Sequence, residues 1–232
     1  MPDSSLVPEN TTIAGMTGSG KTTFAIALML NSVVACRFIF DDENRVAPRL
    51  RTKPCYTWKE CEAALVSRWV IFNCSRAFPF QADDRDMFAS KRRAFREFCR
   101  WIFQVCARGP GKKIIYLPEI WRFCTPESIP PEFASLLQMG RELNVHLIVD
   151  TQRPELANPS VLGQCTELVC FTLLPSGQPD CPVKTVARLG ADPDVVKALP
   201  FGKFIAYNRL PGGGSVSGVL QPGWPPGRFL PI

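Results

Sequence analysis

The chain has 232 residues, 46% apolar and 21% charged, which is ordinary for a globular protein and enough for one sizeable core. Its longest apolar run, residues 24–36, is broken by Asn31 and Ser32 and falls short of the roughly 20 residues of a bilayer span, so no membrane span is predicted. Ten scattered cysteines without a C-x-x-C pair, beside the single His146, argue against a zinc site and for reduced thiols, while a net charge of +6 permits a polyanionic partner without requiring one.

Residues 1–10 read as a short leader; Met1 to Ser5 carry no basic stretch followed by an apolar one, so no secretory signal is expected. The body is predicted to start with a strand, Thr11–Ala14, followed by Gly15-Met16-Thr17-Gly18-Ser19-Gly20-Lys21-Thr22 and then an apolar helix from Thr23. This is G-x-x-x-x-G-K-[ST] in the strand–loop–helix setting of a phosphate-binding loop. Glycines at 15, 18 and 20 let backbone N–H groups turn inward on a phosphate, backed by the positive end of the next helix. Gly15, Thr17, Gly18, Ser19, Gly20, Lys21, Thr22 and Thr23 are thus the candidate nucleotide-binding residues. Lys21 reaches the β- and γ-phosphates, and the Thr22 hydroxyl is the candidate ligand for the Mg²⁺ that accompanies ATP.

A buried strand over residues 33–40 ends at Asp41, placed near ligand level and a second candidate for the metal. Thr57 and Glu60 form a possible capping box for a helix to about Ser67. A strand at 69–73 leads to a long helix, 84–107, with Phe88, Phe95, Phe98, Ile102 and Val105 at helical spacing. Its other side carries Lys91, Arg92, Arg93, Arg96 and Arg100, either a ridge for nucleic acid or a neighbouring subunit, or a solvated face.

The strand 114–117 ends in Pro118-Glu119. In phosphate-loop ATPases such a strand closes with an Asp for Mg²⁺ and often a Glu that polarises the attacking water. Glu119 fills the second place, Pro118 stands in the first, and Asp41 and Asp150 are the acids available in its stead. A helix from Pro131 to Leu143 carries Arg141, and the strand 145–149 runs into Asp150-Thr151-Gln152-Arg153-Pro154, polar groups placed to sense a γ-phosphate. His146, alone in an apolar strand, reads as structural. A strand at 167–173, a helix at 183–189, a short helix capped by Asp192 with Pro193 in its first position, and a strand at 203–207 complete a domain over 11–210. From 211 the chain is rich in Gly and Pro and cannot form its own core. This tail, 211–232, is either disordered or extended on the body or a partner, with Trp224, Phe229 and Leu230 as anchors.

Alternating strands and helices predict a three-layer α/β fold around a parallel sheet. The order of the phosphate loop, Phe40-Asp41, Glu119, the segment from Gly140-Arg141 to Val145-His146-Leu147-Ile148, and Thr151-Gln152-Arg153-Pro154 resembles the FtsK–HerA superfamily of DNA-pumping ATPases. Within it, the small size resembles the genome-packaging ATPases of icosahedral viruses with an internal membrane. The resemblance implies an additional-strand, RecA-like P-loop NTPase with a mainly parallel central sheet. It implies that Glu119 is the catalytic carboxylate, Gln152 the polar sensor, and Arg141, or failing it Arg153, an arginine finger given to the next subunit. It further implies a homo-oligomeric ring, in the first instance a hexamer, that pulls double-stranded DNA into a preformed capsid. Capsid or portal vertex protein would be its partner, and the virion's packaging vertex and the host cytoplasm its location. An extrusion ATPase of a filamentous virus is the nearest rival, disfavoured by the lack of a membrane segment. A P-loop nucleotide kinase leaves Gln152-Arg153-Pro154 unexplained, and a non-hydrolysing nucleotide switch is suggested only by Pro118.

Overall fold

The computed structural model describes residues 10–79, 88–173, 181–210 and 212–220. Among these residues fifteen strands and α-helices follow in chain order. They are β1 (Thr11–Ala14), α1 (Lys21–Asn31), β2 (Cys36–Phe40), α2 (Trp58–Ala64), β3 (Trp69–Phe72), α3 (Ala89–Arg108), β4 (Lys113–Leu117) and α4 (Pro131–Met139), then β5 (Val145–Thr151), α5 (Pro159–Gly163), β6 (Glu167–Phe171), α6 (Pro182–Arg188), α7 (Pro193–Ala198), β7 (Lys203–Asn208) and β8 (Ser215–Val219). One sheet joins all the strands in the order β3-β2-β4-β5-β1-β6-β7-β8. β3 through β6 in that order pair in parallel, and β7 and β8 run antiparallel at one margin. β5 lies between the phosphate-loop strand β1 and the Glu119 strand β4, which is the additional-strand arrangement expected.

Strand parity divides the core into two faces. Ile13, Ile114, Tyr116, Ile148 and Phe171 pack beneath α1, whereas Ile115, Leu117, Leu147 and Val149 face α3 and α4. With helices on both faces the fold is the predicted three-layer α/β sandwich. α3 is held by rings: Phe72 and Phe98 stack at 5.7 Å, Phe95 and Phe123 at 4.6 Å, and Phe95 meets Phe133 edge-on at 5.5 Å. Truncating a ring buried in this way costs about 3–5 kcal/mol. Lys113 ends α3, its Nζ donating to the carbonyls of Cys106, Gly109 and Leu143, so that a buried cation satisfies carbonyls that a helix end leaves open.

Both predicted caps form. The Thr57 hydroxyl accepts from the Glu60 N–H while the Glu60 carboxylate accepts from the Thr57 N–H, and Asp192 accepts from Asp194 and Val195 with Pro193 in the first turn. Other boundaries differ from expectation. β2 begins at Cys36 because Val33 is 91% exposed and outside the sheet. α4 ends at Met139, which leaves Arg141 in the turn before β5 rather than in a helix, and β5 runs to Thr151, so Asp150 lies inside the strand. Within the Gly-rich tail, Ser215–Val219 pair with β7 as β8, extended on the body. The predicted start of the long helix at 84 and the anchors Trp224, Phe229 and Leu230 lie outside the described residues.

The basic side of α3 is occupied within the chain. Lys91 pairs with Asp42 at 2.9 Å, Arg96 and Arg100 both reach Glu132 on α4, and the Arg92 Nε donates to the Arg122 carbonyl. These contacts favour the solvated-face reading of that ridge over a nucleic-acid contact. All ten cysteines are buried and free of disulfides, as expected of reduced thiols. No helix among the described residues is long and apolar enough to cross a membrane.

Candidate nucleotide site

Six parallel strands point their carboxyl ends to one edge, where the loops after them converge. The loop after β1 is built for close approach. Gly18 and Gly20 hold φ of 78° and 114°, left-handed values that side chains resist. A Cβ on Gly20 would stand 2.4 Å from Leu220 Cδ1, and one on Gly15 would stand 2.6 Å from the Phe171 Cβ. α1 starts directly behind with Gly20 as N-cap, no side-chain cap and no acid in its first turn, so its first N–H groups face the loop's concavity. The Ser19 Oγ is buried without a partner there. Lys21, 6% exposed, donates from Nζ to the Gly15 and Met16 carbonyls at 2.9 and 3.2 Å, which folds its charge over the loop. An orphaned hydroxyl, uncapped amides and a buried ammonium form a cradle that fits a phosphate chain.

Glu119, on the loop after β4, reaches this cradle. Its backbone has φ 50° and ψ 52°, an uncommon conformation for a side chain other than Gly, Asn or Asp, and its carboxylate Oε1 stands 3.8 Å from Lys21 Nζ. Its Oε2 accepts from the Trp121 Nε1 at 2.9 Å and the Gln152 N–H at 3.0 Å. Gln152, first residue past β5, accepts through Oε1 from the Thr17 hydroxyl. Thr17, Gln152 and Glu119 are therefore linked by hydrogen bonds, and Glu119 to Lys21 by an ion pair, in one group across three strand ends. Thr23 accepts from Arg49 Nη1 at 3.3 Å.

Beside them a crevice is lined by Thr22, Asp41, Asp42, Glu43, Pro118, Glu119 and Asp150, together with Val46 and with Arg45, whose guanidinium pairs with Glu43 at 2.7 Å. Its donors are hydroxyl and carboxylate oxygens, the set that suits Mg²⁺. The two acids proposed in place of one at 118 separate here. Asp41 is bound up with the chain: Oδ1 accepts from Arg45 N at 2.7 Å, and Oδ2 from Val46 N and Ala47 N at 2.9 Å each, so it holds the loop that follows β2. Asp150 accepts from the Tyr116 hydroxyl and, at 2.9 Å, from the Glu119 N–H.

The two candidate arginines part as well. Arg153 is at the site edge, its guanidinium 5.5 Å from the centre of the Trp121 ring. Arg141 precedes β5 and is exposed at the opposite edge of the sheet, roughly 20 Å away by the rise of a seven-residue strand, beyond reach of its own phosphate loop.

Tyr116, Trp121 and the buried ion group around Arg122 belong to no motif that marks them in the linear sequence. Tyr116 carries a polar tip on the α1 face of an otherwise aliphatic strand, the one signal that could have marked it. Arg122 pairs with Asp42 at 3.2 Å and Glu43 at 2.6 Å and stacks near Phe88 and Trp121. Burial pushes the Asp42 carboxyl above its ordinary pKa against the pull of Lys91 and Arg122.

Burial first, and the nearby Glu119 charge second, push Asp150 up to about 6. A carboxyl raised above its unfolded value contributes stability at low pH that is lost as pH rises through the folded value. The nucleotide-free chain is therefore expected to lose up to about 3 kcal/mol between pH 4 and 7 from this group. Chemical denaturation across that range, compared with Asp150→Asn, checks it; a variant with the same slope as the native chain assigns the loss elsewhere.

No protein-family model and no curated protein sequence matches the chain. Solved structures do. The genome packaging NTPase B204 from Sulfolobus turreted icosahedral virus 2, in complex with ATP-gammaS, is similar at a TM-score of 0.58 and 16% identity over 90% of this chain and 96% of that one. VirB4 of Thermoanaerobacter pseudethanolicus gives 0.60 at 14% identity over 90% and 88%. EssC (ATPases 2 and 3) from Geobacillus thermodenitrificans gives 0.54 at 17% identity, over 94% of this chain and 40% of that one. With β5 set between the phosphate-loop and Glu119 strands, the chain has the three-layer α/β fold that these structures share.

Proposed function

We propose that the chain is an ATPase that drives double-stranded viral DNA into a preformed capsid. The observation that carries the ATPase reading is the group at the sheet edge, with Lys21, Thr17, Glu119 and Gln152 joined over a phosphate cradle. Lys21 is placed to leave the loop carbonyls for the β- and γ-phosphates. Glu119, oriented by Trp121 and the Gln152 N–H, takes the proton of the attacking water. Gln152 is linked both to the loop and to Glu119, so it is positioned to report the γ-phosphate. Thr22 would hold Mg²⁺, which neutralises charge on the phosphates.

The near end-to-end likeness to a genome packaging NTPase, over 90% of this chain and 96% of that one, supports DNA as the cargo and capsid or portal protein as the partner. A motor that moves along any sequence grips the DNA backbone, so its affinity should fall steeply with salt. The distance of Arg141 from its own cradle fits a finger given to a neighbour, hence a homo-oligomeric ring, with six subunits as the reading carried over from the family resemblance. Its place of work would be the packaging vertex of the virion and the host cytoplasm.

The test is phosphate release with and without duplex DNA, with the oligomeric mass measured in an ATP analogue. DNA-stimulated turnover by a ring is expected. Arg141→Ala is expected to slow turnover about 10³-fold while leaving nucleotide affinity intact, as loss of a finger does. Native turnover in Arg141→Ala, with a tenfold or greater loss in Arg153→Ala, would transfer the role to Arg153. A monomer with full activity would refute the shared site.

A further inference from the structure

The position that lacks an acid, Pro118, has one beside it on the next strand. β4 and β5 pair in parallel with Leu117 opposite Val149, so the following pair is Pro118 and Asp150. Parity puts them on the working face: Ile114, Tyr116 and Ile148 pack beneath α1, while their neighbours Ile115, Leu117, Leu147 and Val149 face away. Residues 116, 118, 148 and 150 therefore share the face on which α1 begins with Lys21-Thr22. Adjacent strands lie about 4.8 Å apart, so a carboxylate at 150 is displaced by one strand spacing from one at 118.

The side chains close that gap. The Tyr116 hydroxyl donates to Asp150 Oδ2 and lies on the α1 face beside Thr22, whose side chain acts on it. The other oxygen, Oδ1, is fixed by the Glu119 N–H at 2.9 Å. Asp150 is 1% exposed and lines the crevice with Thr22 and Glu119, and among the described residues no cationic side chain comes within 4.0 Å of it. Buried carboxylates are ordinarily paired with a cation or bound to a metal. Asp41 offers no equivalent, since three backbone N–H groups hold its carboxylate.

We propose that Asp150 supplies the acid missing at 118: through Tyr116 it orients the Thr22 hydroxyl, and its charge faces the divalent cation of the bound triphosphate. This rests on the ATPase reading of the site. Tyr116 is the positioning residue that spans the extra strand spacing, and Pro118 is tolerated because the acid stands on β5.

The experiment measures binding of a fluorescent ATP analogue to the full chain, first in EDTA and then across a Mg²⁺ titration, with thermal melting of each variant alongside. Asp150→Asn should keep the metal-free affinity within about twofold and raise the Mg²⁺ concentration for half-maximal effect about 10–100-fold, the range for groups that support metal ligands. Tyr116→Phe should shift it in the same direction by less. Adding Pro118→Asp to Asp150→Asn should restore most of the loss, which a merely structural role for Asp150 would not allow. A native Mg²⁺ titration in a folded Asp150→Asn chain overturns the proposal, as does a loss that Pro118→Asp leaves unrepaired. Should Asp150→Asn unfold, Tyr116→Phe decides: a raised Mg²⁺ requirement in the folded variant supports the proposal, and a native titration overturns it. A native chain that binds no analogue at any Mg²⁺ concentration fails at the ATPase reading itself, and the inference falls with it.

Discussion

Glu119→Gln is expected to bind ATP as tightly as the native chain and to turn it over 10²–10⁴-fold more slowly, the usual contribution of a positioned general base. The amide keeps the shape of the side chain and an oxygen to accept from the Trp121 Nε1 and the Gln152 N–H, so the loop should hold its geometry. What it loses is the ability to take a proton from water, and the negative charge that stands 3.8 Å from Lys21. Equilibrium titration with ATP analogue and single-turnover hydrolysis separate the two effects. Native turnover in the variant would remove Glu119 from the chemistry, and a loss of binding as large as the loss of turnover would make it a loop-holding residue instead.

Lys21→Ala is expected to fail one step earlier. Its ammonium is buried, and in the nucleotide-free chain it is held by the Gly15 and Met16 carbonyls beside Glu119. Truncation removes the charge that meets the phosphates and leaves Glu119 without its nearby cation, so like charges would face the triphosphate. Loss of one partner of a buried charged pair typically costs 2–5 kcal/mol, about 30- to 5000-fold in Kd. Calorimetric titration with a non-hydrolysable analogue measures it directly. An unchanged Kd would mean that the phosphates are held by backbone amides and the helix end alone.

These two expectations draw on different kinds of knowledge. Lys21 was legible because a phosphate loop is local: eight consecutive residues specify the turn, the amides and the ammonium, and the structure bears out the glycine conformations they demand. The strand positions were legible in part, because buried parallel strands read as apolar runs, and those at β3, β4 and β6 lie where the runs are. The caps at Thr57 and Asp192 form for the same reason, each being a contact between residues two to three apart. Glu119 was found by its place at the end of such a strand, but that its backbone would turn left-handed and aim the carboxylate at Lys21 was not.

What the sequence by itself determined is the binding loop, the α/β alternation and the edge at which polar residues gather, since these depend on neighbours along the chain and on strand parity. Only the tertiary structure decided which acid stands beside Pro118, that Asp41 is taken up by its own loop, that Arg141 and Arg153 lie at opposite edges, and that the basic side of α3 is paired with Asp42 and Glu132. Apart from Asp41, whose partners Arg45, Val46 and Ala47 follow within six residues, each of those turns on the register between strands or on a partner tens of residues away. A one-residue slip of β5 against β4 would carry Asp150 to the other face of the sheet, and nothing in the linear order of residues forbids that slip. The tertiary contacts do, because the slip would carry Asp150 away from the Tyr116 hydroxyl and the Glu119 N–H and into the apolar layer under α3 and α4.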